Sequence, residues 1–205
     1  MKIKVCGMRD AMNINALLDE KPNYVGYIFY EKSKRFVVEN PKITFPENVK
    51  KVGVFVNATE MEIEQKVNEY NLDFVQLHGN ETTELCFNLM KKNISIIKAF
   101  SVDSTFDFQT TIPYTPYCSF FIFDTKGLEY GGNGTKFNWD LLQNYTGIRP
   151  FLLSGGIEPN DVSNLKDFQH DKFMGIDINS GFETSAAYKN ITKIRQFKTQ
   201  LKNEI

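Results

Sequence analysis

A thiol, a guanidinium, an imidazole and two carboxylates stand at similar places in this sequence, each at or just beyond the end of a short apolar run. Cys6 ends the run IKVC and is followed by Gly7. Arg35 comes after the second run, in SKR, and Gln76 and His78 close the fourth, FVQLH. Asp124 ends FFIFD and Asp177 sits in MGIDI. A positioned carboxyl and thiol can work as acid and base, and an imidazole as either. A guanidinium can clamp a carboxylate through two parallel N–H bonds. Two glycine-bearing turns follow the seventh and eighth runs: Ser154-Gly155-Gly156 and Asn179-Ser180-Gly181. Glycine lets backbone N–H groups approach a phosphate closely, and a following helix N-terminus adds a favourable dipole.

Each of these residues also has a plainer use. A small buried cysteine is common core filler. Arg35 belongs to the charged cluster KSKR and could be a solvated loop charge, and His78 could be a satisfied structural histidine. Asp124 could cap a helix or pair with a lysine, and the glycines could serve only tight turns. Chemistry requires that the fold bring these run ends to one place.

The apolar runs are residues 3–6, 24–29, 51–56, 74–78, 95–100, 120–124, 150–154 and 174–178. They are short, rich in Val, Ile or Phe, and bounded by glycine or polar residues, as buried parallel strands are. Between them, Asp10–Glu20, Thr59–Tyr70, Thr82–Lys92 and Ala187–Lys202 carry apolar residues at helical spacing. Thr59 with Glu62 reads as a capping box, and Pro159 reads as the first turn of a helix. Residues 31–49 and 101–118 hold Pro41, Pro46, Pro113 and Pro116, and one short or broken helix is expected in each.

Eight strand–helix units in 205 residues predict an α/β fold. It is a (β/α)8 TIM barrel of eight parallel strands with some outer helices short or irregular, close to the lower size limit of that architecture. An open doubly wound sheet would want a glycine-rich nucleotide loop after the first strand, and CGMRD is not one. One domain spanning residues 1–205 is expected. In such a barrel the site lies at the carboxyl ends of the strands. Strand alternation then puts Phe120, Ile122 and Asp124 on the inner face, and Lys2, Lys4 and Cys6 likewise. A carboxyl among apolar walls is a candidate general acid. Lys4 inside a barrel needs a carboxylate, and Asp177 has the matching position on the last strand. The Lys4 ammonium is expected to lower the pKa of the Cys6 thiol.

The composition excludes several classes. With a net charge of −1 and no repeated basic stretch, nucleic acid is not an expected partner. No apolar run approaches the ~20 residues that cross a bilayer, so no membrane partner is expected. The N-terminus lacks a leader-like apolar segment. Three scattered cysteines suggest reduced thiols in a cytoplasmic setting, and two distant histidines do not suggest a metal site.

The segments KVCGMRD, GYIFYEKSKR, VGVFV, VQLHG, FDTK…GGNGTKFNW, LLSGGIEPNDV and GIDINSGFET occur in order along nearly the whole chain. Together they resemble the N-(5′-phosphoribosyl)anthranilate isomerase family of tryptophan biosynthesis. The resemblance implies a cofactor-free Amadori rearrangement of a small phosphosugar substrate, with Asp124 as general acid and Cys6 as general base. It implies that Arg35 holds the anthranilate carboxylate and that Gly155, Gly156, Asn179, Ser180 and Gly181 hold the phosphate. Gln76, His78 and Asp177 are expected to contact substrate at the same opening, and the protein to be a monomer or homodimer. The sixth loop departs from the family's GG[ST]GKTFDW: Asn133 replaces a hydroxyl, Thr135 and Lys136 are exchanged in order, and Asn138 replaces aspartate. Two other classes fit the same barrel. One is an indoleglycerol phosphate synthase type of enzyme, which would use lysine and glutamate at the strand ends. The other is a non-catalytic phosphate-binding barrel, which needs no acid–base pair.

Overall fold

The computed structural model describes residues 1–125 and 138–202. Eight parallel strands close into a barrel in chain order. They are β1 (Lys2–Val5), β2 (Tyr24–Ile28), β3 (Lys50–Phe55), β4 (Phe74–Leu77), β5 (Ile96–Val102), β6 (Cys118–Thr125), β7 (Phe151–Leu153) and β8 (Phe173–Ile178). Each coincides with one of the eight apolar runs. Closure comes from β1 pairing with β8, with Lys4 beside Asp177 in register.

Side-chain alternation divides the core in two. Tyr24, Val52, Ile97, Ala99, Phe120, Ile122 and Leu152 fill the barrel interior. Residues of opposite parity, such as Val25, Val75, Phe121 and Phe123, face the surrounding helices in a larger layer. Tyr24, Phe74 and Phe120 form an aromatic floor, with ring centroids 5.5–5.8 Å apart. This floor closes one end, so the polar inward residues collect at the other.

The outer helices are α1 (Ala11–Leu18), α2 (Glu60–Tyr70), α3 (Thr83–Lys91), α4 (Val162–Asp167) and α5 (Ile191–Lys202). Their starts follow capping chemistry. Asp10 accepts from the Asn13 N–H at 2.8 Å, Thr59 and Glu62 form the expected reciprocal box, and Thr82 accepts from the Leu85 N–H. A 3₁₀ segment at Phe108–Tyr114 supplies the broken helix expected in 101–118, with Asp107 capping it.

Two expectations are corrected. Residues 31–49 form no helix. Asn40 accepts from the Lys42 N–H at 2.9 Å in a side-chain-closed turn around Pro41, Lys42 has a φ of 51°, and Pro41 and Pro46 lack the N–H that a helix interior needs. The last helix begins at Ile191 rather than Ala187. Ala187 has a φ of 67° and turns a small hairpin, β9 (Glu183–Ser185) against β10 (Tyr188–Lys189). Among the described residues no helix is long and apolar enough to cross a membrane.

One outward-facing charge pair stands out in the helix-facing layer. Lys98 in β5 pairs with Glu81 at 3.1 Å, and their side chains are 3% and 0% exposed. Lys98 Nζ also donates to the carbonyls of Leu77 and Gly79, while Glu81 accepts from the N–H groups of Asn57 and Gly79. The pair thus pins the chain leaving β4 to the chain leaving β3. Removing one partner strands the other charge without water, which costs about 3–5 kcal/mol. Lys98→Met is therefore expected to lose about that much in urea unfolding, and Lys98→Met with Glu81→Leu to regain most of it. A single variant as stable as the parent would contradict the assignment.

Candidate active site

A cavity opens at the carboxyl end of the barrel, where the sites of this architecture lie. Seven of the eight strands, or the loops after them, contribute to its wall, and β5 does not. The wall comprises Cys6 after β1, Ile28, Tyr30 and Ser33 from β2 and its loop, and Val54 and Val56 from β3 and just beyond it. Gln76 and His78 come from the end of β4 and Asp124 from β6. Ser154, Gly155, Gly156 and Ile157 follow β7, and Asp177, Asn179 and Ser180 come from β8 and its loop. The residues come as i, i+2 pairs (Val54 with Val56, Gln76 with His78, Asp177 with Asn179), the inward-facing period of a strand.

The structure therefore gathers nine of the eleven residues singled out in the sequence. Arg35 and Gly181 are not part of the wall. Gly181 packs against loop 7: a Cβ there would lie 2.4 Å from the Ile157 carbonyl oxygen. Arg35 is engaged by Glu183, its Nε donating to Oε1 at 2.8 Å and its Nη2 to Oε2 at 2.7 Å. Of the divergent sixth loop, Asn133, Thr135 and Lys136 lie outside the described residues. Asn138 accepts from the Asp140 N–H at 3.1 Å and caps the short helical segment Trp139–Asn144.

Lys4 and Asp177 form the expected buried pair, 2.9 Å apart. Burial disfavours the Lys4 ammonium, but Asp177, with Cys6, outweighs it and the Lys4 pKa is raised. Burial pushes the Asp177 carboxyl up, and Lys4 only partly offsets it.

Cys6 is corrected in sign. Its thiol pKa is raised, not lowered. Burial is the largest cause, and the pull of Lys4 toward the thiolate is opposed by Asp177. Parity put the cation in the right place, but its charge is already spent on a carboxylate. The thiol also sits close against β2: a Cβ on Gly26 would lie 2.8 Å from Sγ and 3.3 Å from Lys4 Nζ.

Asp124 does not stand among apolar walls alone. Its Oδ2 lies 3.1 Å from His78 Nε2, and its Oδ1 accepts from the Thr125 N–H at 2.9 Å. Gln76 Nε2 lies 2.9 Å from His78 Nδ1. If that amide donates, Nδ1 is the acceptor and Nε2 carries the proton toward Asp124. Among the described residues, Gln76 Oε1 and Asp177 Oδ1 are buried without a hydrogen-bond partner, and both residues line the cavity. Buried polar atoms left unmatched by protein mark places where a ligand can supply the bond.

Gly155 and Gly156 have φ values of 88° and 67°, in the left-handed region that favours glycine. A Cβ at Gly155 would also lie 2.1 Å from Thr125 Oγ1, so loop 7 rests directly on the end of β6.

Sequence reasoning missed Glu81, Lys98, Glu183 and Lys189. Lys98 carried a readable signal, since a lysine in the apolar run SIIKAF demands a partner just as Lys4 does.

Comparison with known proteins decides the family. The sequence model of "N-(5'phosphoribosyl)anthranilate (PRA) isomerase" matches residues 3–200. The chain belongs to this isomerase family, and it is an enzyme. The Parabacteroides distasonis N-(5'-phosphoribosyl)anthranilate isomerase is 46% identical over 98% of this chain and 93% of its own length. The crystal structure of the Thermotoga maritima phosphoribosyl anthranilate isomerase superposes with a TM-score of 0.88 at 31% identity, covering all of both chains. A second crystal structure, of the family enzyme in complex with reduced 1-(o-carboxyphenylamino)-1-deoxyribulose 5-phosphate, superposes at 0.85 with 28% identity and full coverage.

The direction of the Cys6 shift gives a test. Iodoacetamide labelling of Cys6, followed by peptide mass, is expected to stay slow through neutral pH and to rise only above the ordinary thiol range of about 8.5. Asp177→Asn removes the opposing carboxylate and frees Lys4, so its midpoint moves to lower pH. Lys4→Met moves it higher. A wild-type midpoint below that of an exposed thiol would overturn the sign.

Proposed function

We propose that this chain converts N-(5′-phosphoribosyl)anthranilate into 1-(2-carboxyphenylamino)-1-deoxyribulose 5-phosphate, with Asp124 as general acid and Cys6 as general base. The observation that carries this reading is the meeting of a carboxyl on β6 and a thiol after β1 in one cavity, with the turns after β7 and β8 lying between them around the barrel. An indoleglycerol phosphate synthase type of site would place a lysine and a glutamate there, and a mere phosphate binder needs neither acid nor base.

Asp124 protonates the ribose ring oxygen as the C1′–O bond breaks, which opens the furanose to a Schiff base. Cys6, as thiolate, then removes the proton from C2′, and the electron pair moves toward nitrogen to give an enolamine. Protonation at C1′ and loss of the enol proton yield the aminoketose, so the conversion is an internal redox exchange. A raised thiol pKa makes the thiolate a stronger base while shrinking its share at neutral pH. The rate should therefore keep climbing into the alkaline range. His78 faces Asp124 and fixes the carboxyl toward the ring oxygen. Arg35 takes the anthranilate carboxylate, and the turns at Gly155-Gly156 and Asn179-Ser180-Gly181 take the phosphate.

Substrate and product differ in fluorescence, so turnover is followed directly. Asp124→Asn and Cys6→Ala are each expected to lower kcat by at least ~10²-fold, the scale of a general acid–base contribution. Retention of half the parent kcat by either folded variant would remove that residue from the mechanism.

Inorganic phosphate should compete with substrate and occupy the turns near Gly156 and Ser180 in a crystal. Anions on surface lysines alone, without kinetic competition, would count against the phosphate assignment.

A further inference from the structure

Arg35 lies outside the cavity wall, yet it packs beside the base. A Cβ on Gly7 would lie 2.6 Å from Arg35 Cδ and 2.8 Å from Asn179 Oδ1, so both side chains cover the residue that follows Cys6. Arg35 is gripped along one edge by Glu183, through Nε and Nη2. A guanidinium has five N–H groups in a rigid plane, and this pairing uses two. The other three, on Nη1 and Nη2, have no partner among the described residues.

Glu183 is itself fixed from behind. Its Oε1 accepts from Lys189 Nζ at 2.5 Å and from the Ala187 N–H at 3.2 Å. The Lys189 side chain is fully buried, and its Nζ also donates to Asn179 Oδ1 at 2.8 Å. The Lys189 backbone is held on both sides by Asn13, which accepts from its N–H at 2.8 Å and donates to its carbonyl at 2.9 Å. A buried lysine in a two-residue strand adds little that an apolar residue would not supply at lower cost. It does fix Glu183 against the barrel. Burial favours the neutral form of Glu183, but Arg35 and Lys189 outweigh it and hold the carboxyl below the usual range. Burial also lowers the Lys189 pKa despite Glu183 beside it, so Arg35 is the cation of this cluster that best keeps its charge for an anion.

We propose that Glu183 is a positioning residue for substrate recognition: it sets the plane of the Arg35 guanidinium so that the unoccupied N–H edge meets the aromatic carboxylate of the substrate. This rests on the reading of Arg35 given above. Glu183 touches no reacting atom, and its effect is confined to ligands that carry the carboxylate.

Two competitive inhibitors test this. One is reduced 1-(o-carboxyphenylamino)-1-deoxyribulose 5-phosphate, and the other is its phenylamino counterpart without the carboxylate. The ratio of their inhibition constants measures carboxylate discrimination. Arg35→Met is expected to collapse that ratio. Glu183→Gln is expected to shrink it about tenfold by misaligning the fork. It should leave the carboxylate-free inhibitor unmoved and add nothing in the Arg35→Met background. If Arg35→Met collapses the ratio while Glu183→Gln preserves it, or weakens both inhibitors alike, the positioning role is overturned and the Arg35 reading stands. If Arg35→Met leaves the ratio intact, the Arg35 reading itself fails. Should Glu183→Gln not fold, Glu183→Asp keeps the charge beside Lys189 but withdraws it one methylene from Arg35. The same ratio then decides: a partial loss supports the role and full retention overturns it.

Discussion

The Lys4–Asp177 pair is the interaction on which the rest of the site depends. It lies inside the barrel at the seam where the first strand meets the last. Two charges removed from water are tolerable only when each satisfies the other. Their mutual satisfaction has a price: Lys4 cannot give its whole charge to Cys6. The thiol next to it is accordingly harder to ionise than a free one, although a lysine stands on its own strand face. Basic strength and charge balance are set by the same contact.

A second layer of charge lies outside the barrel wall. Lys98 and Glu81 face the helices and tie down the loops that leave β3 and β4. His78, two residues after Gln76 in that same stretch, meets Asp124 across the cavity. On the opposite side Glu183 and Lys189 brace loops 2 and 8. The cavity rim thus rests on the strands, with the loops after β2, β3, β4 and β8 braced by buried ion pairs, an arrangement suited to holding geometry.

Much of this was readable in the residues. The eight strands emerge because buried parallel strands need short, evenly apolar runs, and strand parity alone put Lys4, Cys6, Asp124 and Asp177 on the inner face. Caps at Thr59 and Asp10 follow local rules and depend on few distant residues. What escaped depends on contacts far apart in sequence. Arg35 meets a carboxylate 148 residues away, a partner that no spacing rule supplies. Ala187 adopts a left-handed turn that its composition does not announce, which moved the start of the last helix. The stretch 31–49 contains enough helix formers to suggest a turn of helix, yet its prolines and the Asn40 turn dictate otherwise. The sign of the Cys6 shift escaped because it is a difference between opposing effects, and sequence reveals which groups are present but not how deeply they are buried.

The seam contact also has a meaning in time. Lys4 leaves the ribosome long before its partner, which lies 173 positions later in the chain. Until β8 is synthesised, β1 carries an ammonium with no carboxylate to meet it, and such a strand has reason to remain in water. Burial of β1's inner face is therefore coupled to the arrival of the last strand. The contact that closes the barrel is thus the same one that neutralises the interior charge and completes the thiol's surroundings.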